Sequence, residues 1–209
     1  MQTWIFVTGI ALVGLLLAEA RRDRIVIWIA KPLASIGFVG AAVAAGALGS
    51  GYGRALLLGL LFSFVGDVLL IPESAGAYLA GLICFLCAHL AYCTAFVLRG
   101  PSLPWIAAAV AALAVPALLV ERWLGPRVPA SLRVPVRIYM LVVSAMLAVA
   151  AGDWRGGSSP LAFAGAFAFY LSDLAVARDR FVHESFWNQL WGLPLYYAAQ
   201  LMLAASVGG

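Results

Sequence analysis

Eight apolar runs, separated by short polar segments, make up most of this sequence. A transmembrane helix needs about 20 predominantly apolar residues, and each run comes close to that length. The apolar residues are continuous rather than alternating, which excludes membrane-spanning barrel strands. The sequence therefore predicts an all-α polytopic membrane protein, with eight transmembrane helices in a single integral-membrane domain over residues 1–209. The predicted spans are Thr3–Ala18, Ile25–Ala47, Ala55–Ile71, Ala75–Leu98, Leu103–Val120, Val134–Ala151, Pro160–Ala177 and Asn188–Val207.

The composition excludes a soluble globular domain. Hydrophobic residues make up 65% of the chain and charged residues 11%, whereas a soluble domain is about half apolar and about a quarter charged. The net charge of +4 comes from arginines between the apolar runs rather than from a basic patch. We therefore expect membrane lipids around the chain and no nucleic-acid partner. Twelve of the thirteen basic residues are Arg, which suggests a GC-rich bacterial genome.

The arginines also predict how the helices are oriented. Cytoplasmic loops carry an excess of Lys and Arg, and one set of loops is far richer in Arg than the other. The rich set has Arg21, Arg22, Arg24, Arg122, Arg127, Arg133, Arg178 and Arg180, and the poor set has Arg54, Arg99 and Arg155. This asymmetry predicts a bacterial inner-membrane protein with both termini outside the cytoplasm. The first run resembles a signal peptide at Ala18–Ala20, but arginines follow it at once, so we interpret it as a retained helix.

Four ionisable residues interrupt the apolar runs: Lys31, Asp67, His89 and Asp173. A charge near the bilayer centre costs about 2.5–3.5 kcal/mol on insertion scales, so each one requires a reason. Asp67 and Asp173 both lie four residues before the cytoplasmic end of their predicted spans, about 6 Å inside that boundary at 1.5 Å per residue. We expect the two carboxylates to converge on a cavity that opens toward the cytoplasm.

Further polar side chains are expected beside these carboxylates. They are Tyr92, Tyr139, Ser172, Tyr196 and Gln200. Two interpretations remain open: structural ion pairs, Asp67 with Lys31 and Asp173 with Arg137, or a reactive site. Two carboxylates at one depth favour the site. Lys31 precedes Asp67 by 36 residues, and Arg137 precedes Asp173 by the same 36, which suggests a parallel repeat of four helices followed by four.

One face of the fourth span combines aromatic and polar residues. Phe85, His89, Tyr92 and Phe96 recur at helical spacing. The pattern suits a tunnel for an acyl chain, although His89 bonded to a neighbouring backbone group or tyrosine explains it equally well. Three cysteines share this span: Cys84, Cys87 and Cys93. With no second Cys pair in the chain, we interpret them as packing residues and expect no metal and no cofactor.

Four ordered motifs resemble those of the YhhN family of membrane lysoplasmalogenases. They are Phe64–Leu70 (FVGDVLL), Gly81–Tyr92 (GLICFLCAHLAY), Gly165–Asp173 (GAFAFYLSD) and Tyr196–Leu201 (YYAAQL), and Lys31-Pro32 also fits. The resemblance covers nearly the whole chain except the first helix and the loops. It implies an ether hydrolase that takes a lysophospholipid substrate and cleaves its vinyl ether bond, releasing a fatty aldehyde and glycerophosphoethanolamine or glycerophosphocholine.

Vinyl ether hydrolysis gives the two carboxyl groups complementary roles. Protonation of the β-carbon forms an oxocarbenium ion, to which water adds before the hemiacetal collapses. One protonated carboxyl donates, and one carboxylate stabilises the cation or activates water, as in glycoside hydrolysis. The resemblance thus implies Asp67 and Asp173 as the catalytic pair. Lys31, His89, Tyr92, Tyr139, Ser172, Tyr196 and Gln200 are the expected supporting or substrate-binding residues.

Rival functions fit the sequence less well. A transporter or a lipid-binding bundle also places charges inside a helical bundle, but here the carboxylates lie near one face. An intramembrane aspartyl protease needs a Gly-x-Gly-Asp motif, and position 64 is Phe. A zinc-dependent lipid amidase needs more histidines. For the favoured function, we expect the lipid phosphate near Arg21, Arg22, Arg133 and Arg178, with the acyl chain running past the carboxylates toward His89, Phe85 and Phe96.

Overall fold

The computed structural model describes residues 1–208 and is helical throughout, with no strand in that part of the chain. Eight helices are long and apolar enough to cross a membrane, as the apolar runs predicted. They are α1 (Gln2–Arg21), α2 (Arg24–Ala44), α3 (Gly51–Leu69), α4 (Ala75–Val97), α5 (Leu103–Leu124), α6 (Arg133–Arg155), α7 (Pro160–Phe181) and α8 (Phe186–Ala205). Helices α1, α3, α5 and α7 end at one face, which we call the arginine-rich face. The opposite end is the far face.

Serine and aspartate caps set the starts of several helices. The side chain of Ser50 accepts a hydrogen bond from the backbone N–H of Gly53 at 3.0 Å, and Asp23 caps α2 in the same way. Such caps satisfy backbone donors that the first helical turn leaves unpaired. Because Ser50 caps α3, this helix begins at Gly51 rather than at the predicted Ala55. At the other end of the chain, α7 continues to Phe181, four residues beyond the predicted Ala177.

The helices pack mainly as antiparallel neighbours, α1 with α2, α3 with α4, α5 with α6 and α7 with α8. Small residues allow the closest approach: a Cβ added at Gly59 would lie 2.3 Å from the ring of Tyr92, and one at Gly66 would lie 2.7 Å from Phe85. Close contact through glycine is a common way to pack membrane helices. Helix α5 is peripheral, because Leu124 is its one buried residue. The three cysteines of α4 are free thiols.

A buried polar cluster joins four helices at the far face. The guanidinium of Arg99 stacks 3.4 Å from the ring centre of Tyr52, and its Nη1 lies 3.5 Å from a carboxylate oxygen of Asp153, which is 1% exposed. Arg99 also donates to the backbone carbonyl of Ser206 at 2.9 Å. The hydroxyl of Tyr52 bonds to that of Ser206 at 2.5 Å. These contacts hold together the far-face ends of α3, α4, α6 and α8.

Candidate active site

A cavity of about 930 Å³ extends inward from the arginine-rich face. Exposed Arg22 and Glu184 lie at its rim, and Asp67 and Asp173 lie on its inner walls. A cavity of this size is within the range of sites that hold a drug-sized or lipid ligand. The structure therefore brings the two predicted carboxylates to one shared space.

The walls of this cavity differ in chemistry. Helices α1, α2 and α3 contribute a polar wall with Glu19, Lys31 and Asp67. Helices α4, α5 and α6 contribute a mainly apolar wall, with Tyr78, Tyr139 and Ser144 as its polar members, and Asp173 comes from α7. The apolar wall is formed by Leu82, Phe85, Val120, Val136, Met140 and Val143. An amphiphilic molecule fits such a cavity in one orientation.

Asp67 is 3% exposed and accepts two hydroxyl hydrogen bonds at the same carboxylate oxygen. Ser35 and Tyr196 each donate to its Oδ2 at 2.7 Å. Ser35 is a site residue that the sequence interpretation missed. It lies one helical turn after Lys31, and the single proton of its hydroxyl is shared between Asp67 and the Lys31 backbone carbonyl at 3.0 Å. A serine four residues after a lysine in a predicted span was the sequence signal for this contact.

Asp173 has a different environment. Its side chain is 19% exposed to the cavity, and Tyr139 donates to its Oδ2 at 3.0 Å. Behind it, His89 Nε2 lies 3.8 Å from the same oxygen and has no hydrogen-bond partner. His89 Nδ1 lies 2.6 Å from the carbonyl oxygen of Phe85. Because a carbonyl only accepts, Nδ1 carries a proton, and in a neutral imidazole Nε2 presents its lone pair to Asp173.

A chain of buried hydrogen bonds continues behind Asp67. Gln200 Nε2 donates to the hydroxyl of Tyr196 at 3.0 Å, and the hydroxyl of Tyr92 donates to Gln200 Oε1 at 2.9 Å. Ser63 extends the chain with a hydroxyl contact of 3.2 Å to Tyr92. Tyr92 and Gln200 are fully buried and do not line the cavity. They support the Asp67 side of the site without facing a ligand.

Three charge arrangements from the sequence analysis, two of them ion pairs considered as the alternative to a reactive site, are not found in the part of the chain that the structure describes. Lys31 lines the cavity but has no carboxylate oxygen within 4.0 Å among the described residues, so it forms no tight ion pair with Asp67. Arg137 is exposed and pairs with Glu121 at 2.6 Å, and hence is not the partner of Asp173. The third arrangement is the group of four arginines that we expected near the lipid phosphate at the cavity mouth. Of those four, Arg22 lines the cavity, whereas Arg21, Arg133 and Arg178 do not.

The side chains of Arg133 and Arg178 are held by other groups. Arg133 donates to the carbonyl of Val128 at 3.2 Å, and Arg178 donates to Asn188. Ser172 lines the cavity, but its hydroxyl donates to the Phe169 carbonyl one turn earlier at 2.7 Å.

The aromatic tunnel is a further correction. Phe85 lines the cavity, but His89, Tyr92 and Phe96 are each 0% exposed and lie outside its lining. They pack within the core because α3 and α6 lie against α4; the His89 ring, for example, lies 5.2 Å from that of Tyr139 of α6 and 4.7 Å from that of Phe169. The predicted acyl-chain path along this face is therefore wrong, and the apolar wall of α4 to α6 offers the path instead.

No group of three or more His, Cys, Asp or Glu side chains within residues 1–208 is arranged to hold a metal ion. The fold and the cavity together define a polytopic helical membrane protein in which a buried carboxylate, Asp67, and a partly buried one, Asp173, line the same cavity. The model of the YhhN family matches residues 26–207 of the chain. The protein belongs to the YhhN family.

Curated relatives carry enzyme names. The chain is 27% identical to lysoplasmalogenase TMEM86A of Bos taurus over 158 residues, which are 72% of this chain and 64% of the relative. It is 29% identical to the Homo sapiens TMEM86A enzyme over the same shares. It is 35% identical to lysoplasmalogenase TMEM86B of Sus scrofa over 160 residues, 76% of this chain and 66% of the relative. The chain thus spans a little under two thirds of the length of the TMEM86A relatives. No solved structure matches it.

Proposed function

We propose that this protein is a lysoplasmalogenase that hydrolyses the vinyl ether bond of a lysophospholipid. The observation that carries the proposal is the pair Asp67 and Asp173 on one membrane cavity, where Asp67 accepts two hydroxyl hydrogen bonds and Asp173 accepts one. The names of the curated relatives support the same reaction. A transporter has no comparable support, and the polar cluster around Arg99 and Asp153 joins the helices at the far face.

The environments suggest which carboxyl is the acid. Two hydroxyl donors on one oxygen of Asp67, and the positive charge of Lys31 beyond them, favour its ionised form. Asp173 accepts one hydroxyl hydrogen bond, from Tyr139, and lies 3.8 Å from the lone pair of His89 Nε2, beyond hydrogen-bond distance, so its ionised form has fewer donors than that of Asp67. We therefore assign Asp173 as the general acid and Asp67 as the carboxylate that faces the cation. His89 and Tyr139 are positioning residues for Asp173.

In this assignment, Asp173 transfers its proton to the β-carbon of the vinyl ether, and the π electrons form the new C–H bond. The positive charge on the α-carbon and ether oxygen is stabilised by ionised Asp67. Water then adds to the α-carbon and returns a proton to Asp173, which gives the hemiacetal. As the bond from carbon to the glycerol oxygen breaks, Asp173 protonates that oxygen and Asp67 takes the hydroxyl proton. The aldehyde leaves with the one proton now on Asp67, and proton exchange through cavity water returns it to Asp173 before the next turnover.

The decisive experiment is aldehyde release from an alkenyl-glycerophosphoethanolamine by the purified protein in detergent. Asp67→Asn and Asp173→Asn should each abolish turnover while the protein stays folded. Asp23→Asn is the matched control, since Asp23 caps α2 at the same face through one side-chain oxygen, which asparagine retains. Near-full activity in either site variant contradicts the two-carboxylate mechanism. Absence of aldehyde release by the unmodified protein contradicts the proposed function itself.

We also propose that the arginine-rich face is cytoplasmic and that both termini lie outside, in a bacterial inner membrane. The excess of arginine on that face supports this orientation. Cysteine labelling from the two sides of the membrane tests it, with a single Cys introduced at exposed Glu184 or at exposed Arg54. Labelling of the Glu184 position from outside would overturn the orientation. The parallel repeat of four and four helices stays a prediction.

A further inference from the structure

The polar wall of the cavity carries charges of alternating sign at successive depths. Glu19 lies two residues before the end of α1, and Lys31 lies seven residues into α2. At 1.5 Å per residue, Lys31 is about 7 Å deeper than Glu19. Asp67 bonds to Ser35, which is one further turn into α2. From the mouth inward, the order is therefore Glu19, Lys31 and Asp67.

Lys31 and Glu19 differ from the other charged residues of the cavity because neither has a partner within the described part of the chain. Neither side chain forms an ion pair within 4.0 Å or a hydrogen bond there. Lys31, Glu19 and Asp67 line the same cavity. An unpaired lysine inside a membrane span is costly unless it serves a ligand.

The neighbouring charges are already engaged. Arg24 pairs with Glu73, and the guanidinium of Arg180 lies 4.6 Å from the ring centre of Tyr78. Asp179 accepts hydrogen bonds from the side chain of Asn188 at 2.7 Å and from a backbone N–H at 3.0 Å. Arg22 lies 4.0 Å from Glu184 at the rim, so among these cavity-lining charges Lys31 and Glu19 are the cation and the carboxylate without such a contact within the described residues.

We propose that Lys31 and Glu19 form a head-group subsite for a zwitterionic lysophospholipid, with Lys31 binding the phosphate and Glu19 the ammonium group. This inference rests on the proposed function. In the lipid, the ether oxygen, phosphorus and nitrogen follow one another at about 5–6 Å, given four or five bonds near 1.5 Å each. The wall presents a carboxylate, a lysine and a second carboxylate, which is the opposite sign at each of these three points. Phosphate on Lys31 then places the developing oxocarbenium ion at Asp67.

Three substrates separate the contributions of the two groups: alkenyl-glycerophosphoethanolamine, alkenyl-glycerophosphate without the amine, and alkenyl-glycerol without the phosphate. The unmodified protein should prefer them in that order by kcat/KM. A hydrogen bond to a charged group is worth roughly a 10- to 100-fold factor. Lys31→Met should therefore lower kcat/KM for the two phosphate-bearing substrates by roughly 10- to 100-fold more than for alkenyl-glycerol. Lys31→Arg should restore much of this difference.

Glu19→Gln should lower the preference for alkenyl-glycerophosphoethanolamine over alkenyl-glycerophosphate by roughly tenfold, because the substitution removes the charge that attracts the ammonium group. Glu121→Gln is the matched control, since Glu121 lies at the same face but outside this cavity. An unchanged preference in Glu19→Gln overturns the subsite. An equal loss of kcat/KM on all three substrates in Lys31→Met also overturns the subsite, because Lys31 would then act through Asp67. Failure of the unmodified protein on every alkenyl substrate contradicts the proposed function instead.

Discussion

The hydroxyl of Tyr196 connects Asp67 to the buried polar chain, so Tyr196→Phe tests how far that chain supports the carboxylate. The substitution keeps the ring, which packs edge-on against Phe38 and Phe169. It deletes one of the two hydrogen bonds to Asp67 Oδ2. A hydrogen bond to a charged group contributes about 1.5–3 kcal/mol. If ionised Asp67 stabilises the oxocarbenium ion, kcat should fall roughly 10- to 100-fold.

The same substitution leaves the Gln200 amide N–H without its acceptor. An unsatisfied buried donor costs about 1–3 kcal/mol, so the free energy of unfolding should also fall. Aldehyde release, followed through NADH consumption by added alcohol dehydrogenase, measures the rate, and thermal denaturation in detergent measures stability. Tyr197→Phe is the matched control, because its hydroxyl makes a long 3.4 Å contact with the Lys31 carbonyl. Equal rate losses in the two variants would refute a specific role for the Tyr196 hydroxyl.

Three other perturbations have different expected outcomes. Gly59→Ala places a Cβ against the Tyr92 ring, so it should lower the free energy of unfolding by about 1–3 kcal/mol in thermal denaturation. Gly14→Ala is the control, because Gly14 has open space around it and the substitution should leave the stability unchanged. Asp153→Ala removes the carboxylate beside partly buried Arg99 and should cost about 3–5 kcal/mol by the same measurement; a change below 1 kcal/mol would contradict the role of the far-face cluster. Chelation should leave turnover intact, and loss of activity with rescue by one metal would favour an amidase-like mechanism.

The sequence predicted the eight membrane helices well because the bilayer requires long apolar segments, and this chain has polar residues at their ends. Helix boundaries were less accurate, since they depend on caps and local contacts. Ser50, for instance, begins α3 four residues before the apolar run at Ala55. Hydropathy detects the part of a helix within hydrocarbon, whereas the helix itself continues into the interface.

The convergence of Asp67 and Asp173 on one cavity was also predictable, because the cost of burying charge and the direction of the chain fixed their depth. The residues that contact the two carboxylates were not predictable in the same way. Equal spacing suggested Arg137 for Asp173, but depth along a helix says nothing about which way a side chain faces. Arg137 lies on an exposed face beside Glu121, while His89 and Tyr139 approach Asp173 from α4 and α6. Angular positions around helices depend on tertiary packing, which single-sequence periodicity does not specify.

The contrast between the two cavity walls gives a physical reason for a preference for lyso lipids. In the proposed binding mode, a lysophospholipid would place its single chain near Val136 and Val143 and its head group near Lys31, both of which line the cavity. A second acyl chain at the sn-2 position would then have to lie beside Lys31, where it would separate the lysine from water and phosphate. Each methylene kept out of an apolar environment forgoes about 0.8 kcal/mol. We therefore expect an alkenyl-acyl phospholipid to be cleaved at least 100-fold more slowly than its lyso form in the same mixed micelles, a factor that needs about 2.7 kcal/mol. Comparable rates on the two lipids would mean that the second chain leaves the cavity sideways between helices, and the wall contrast would then not determine substrate choice.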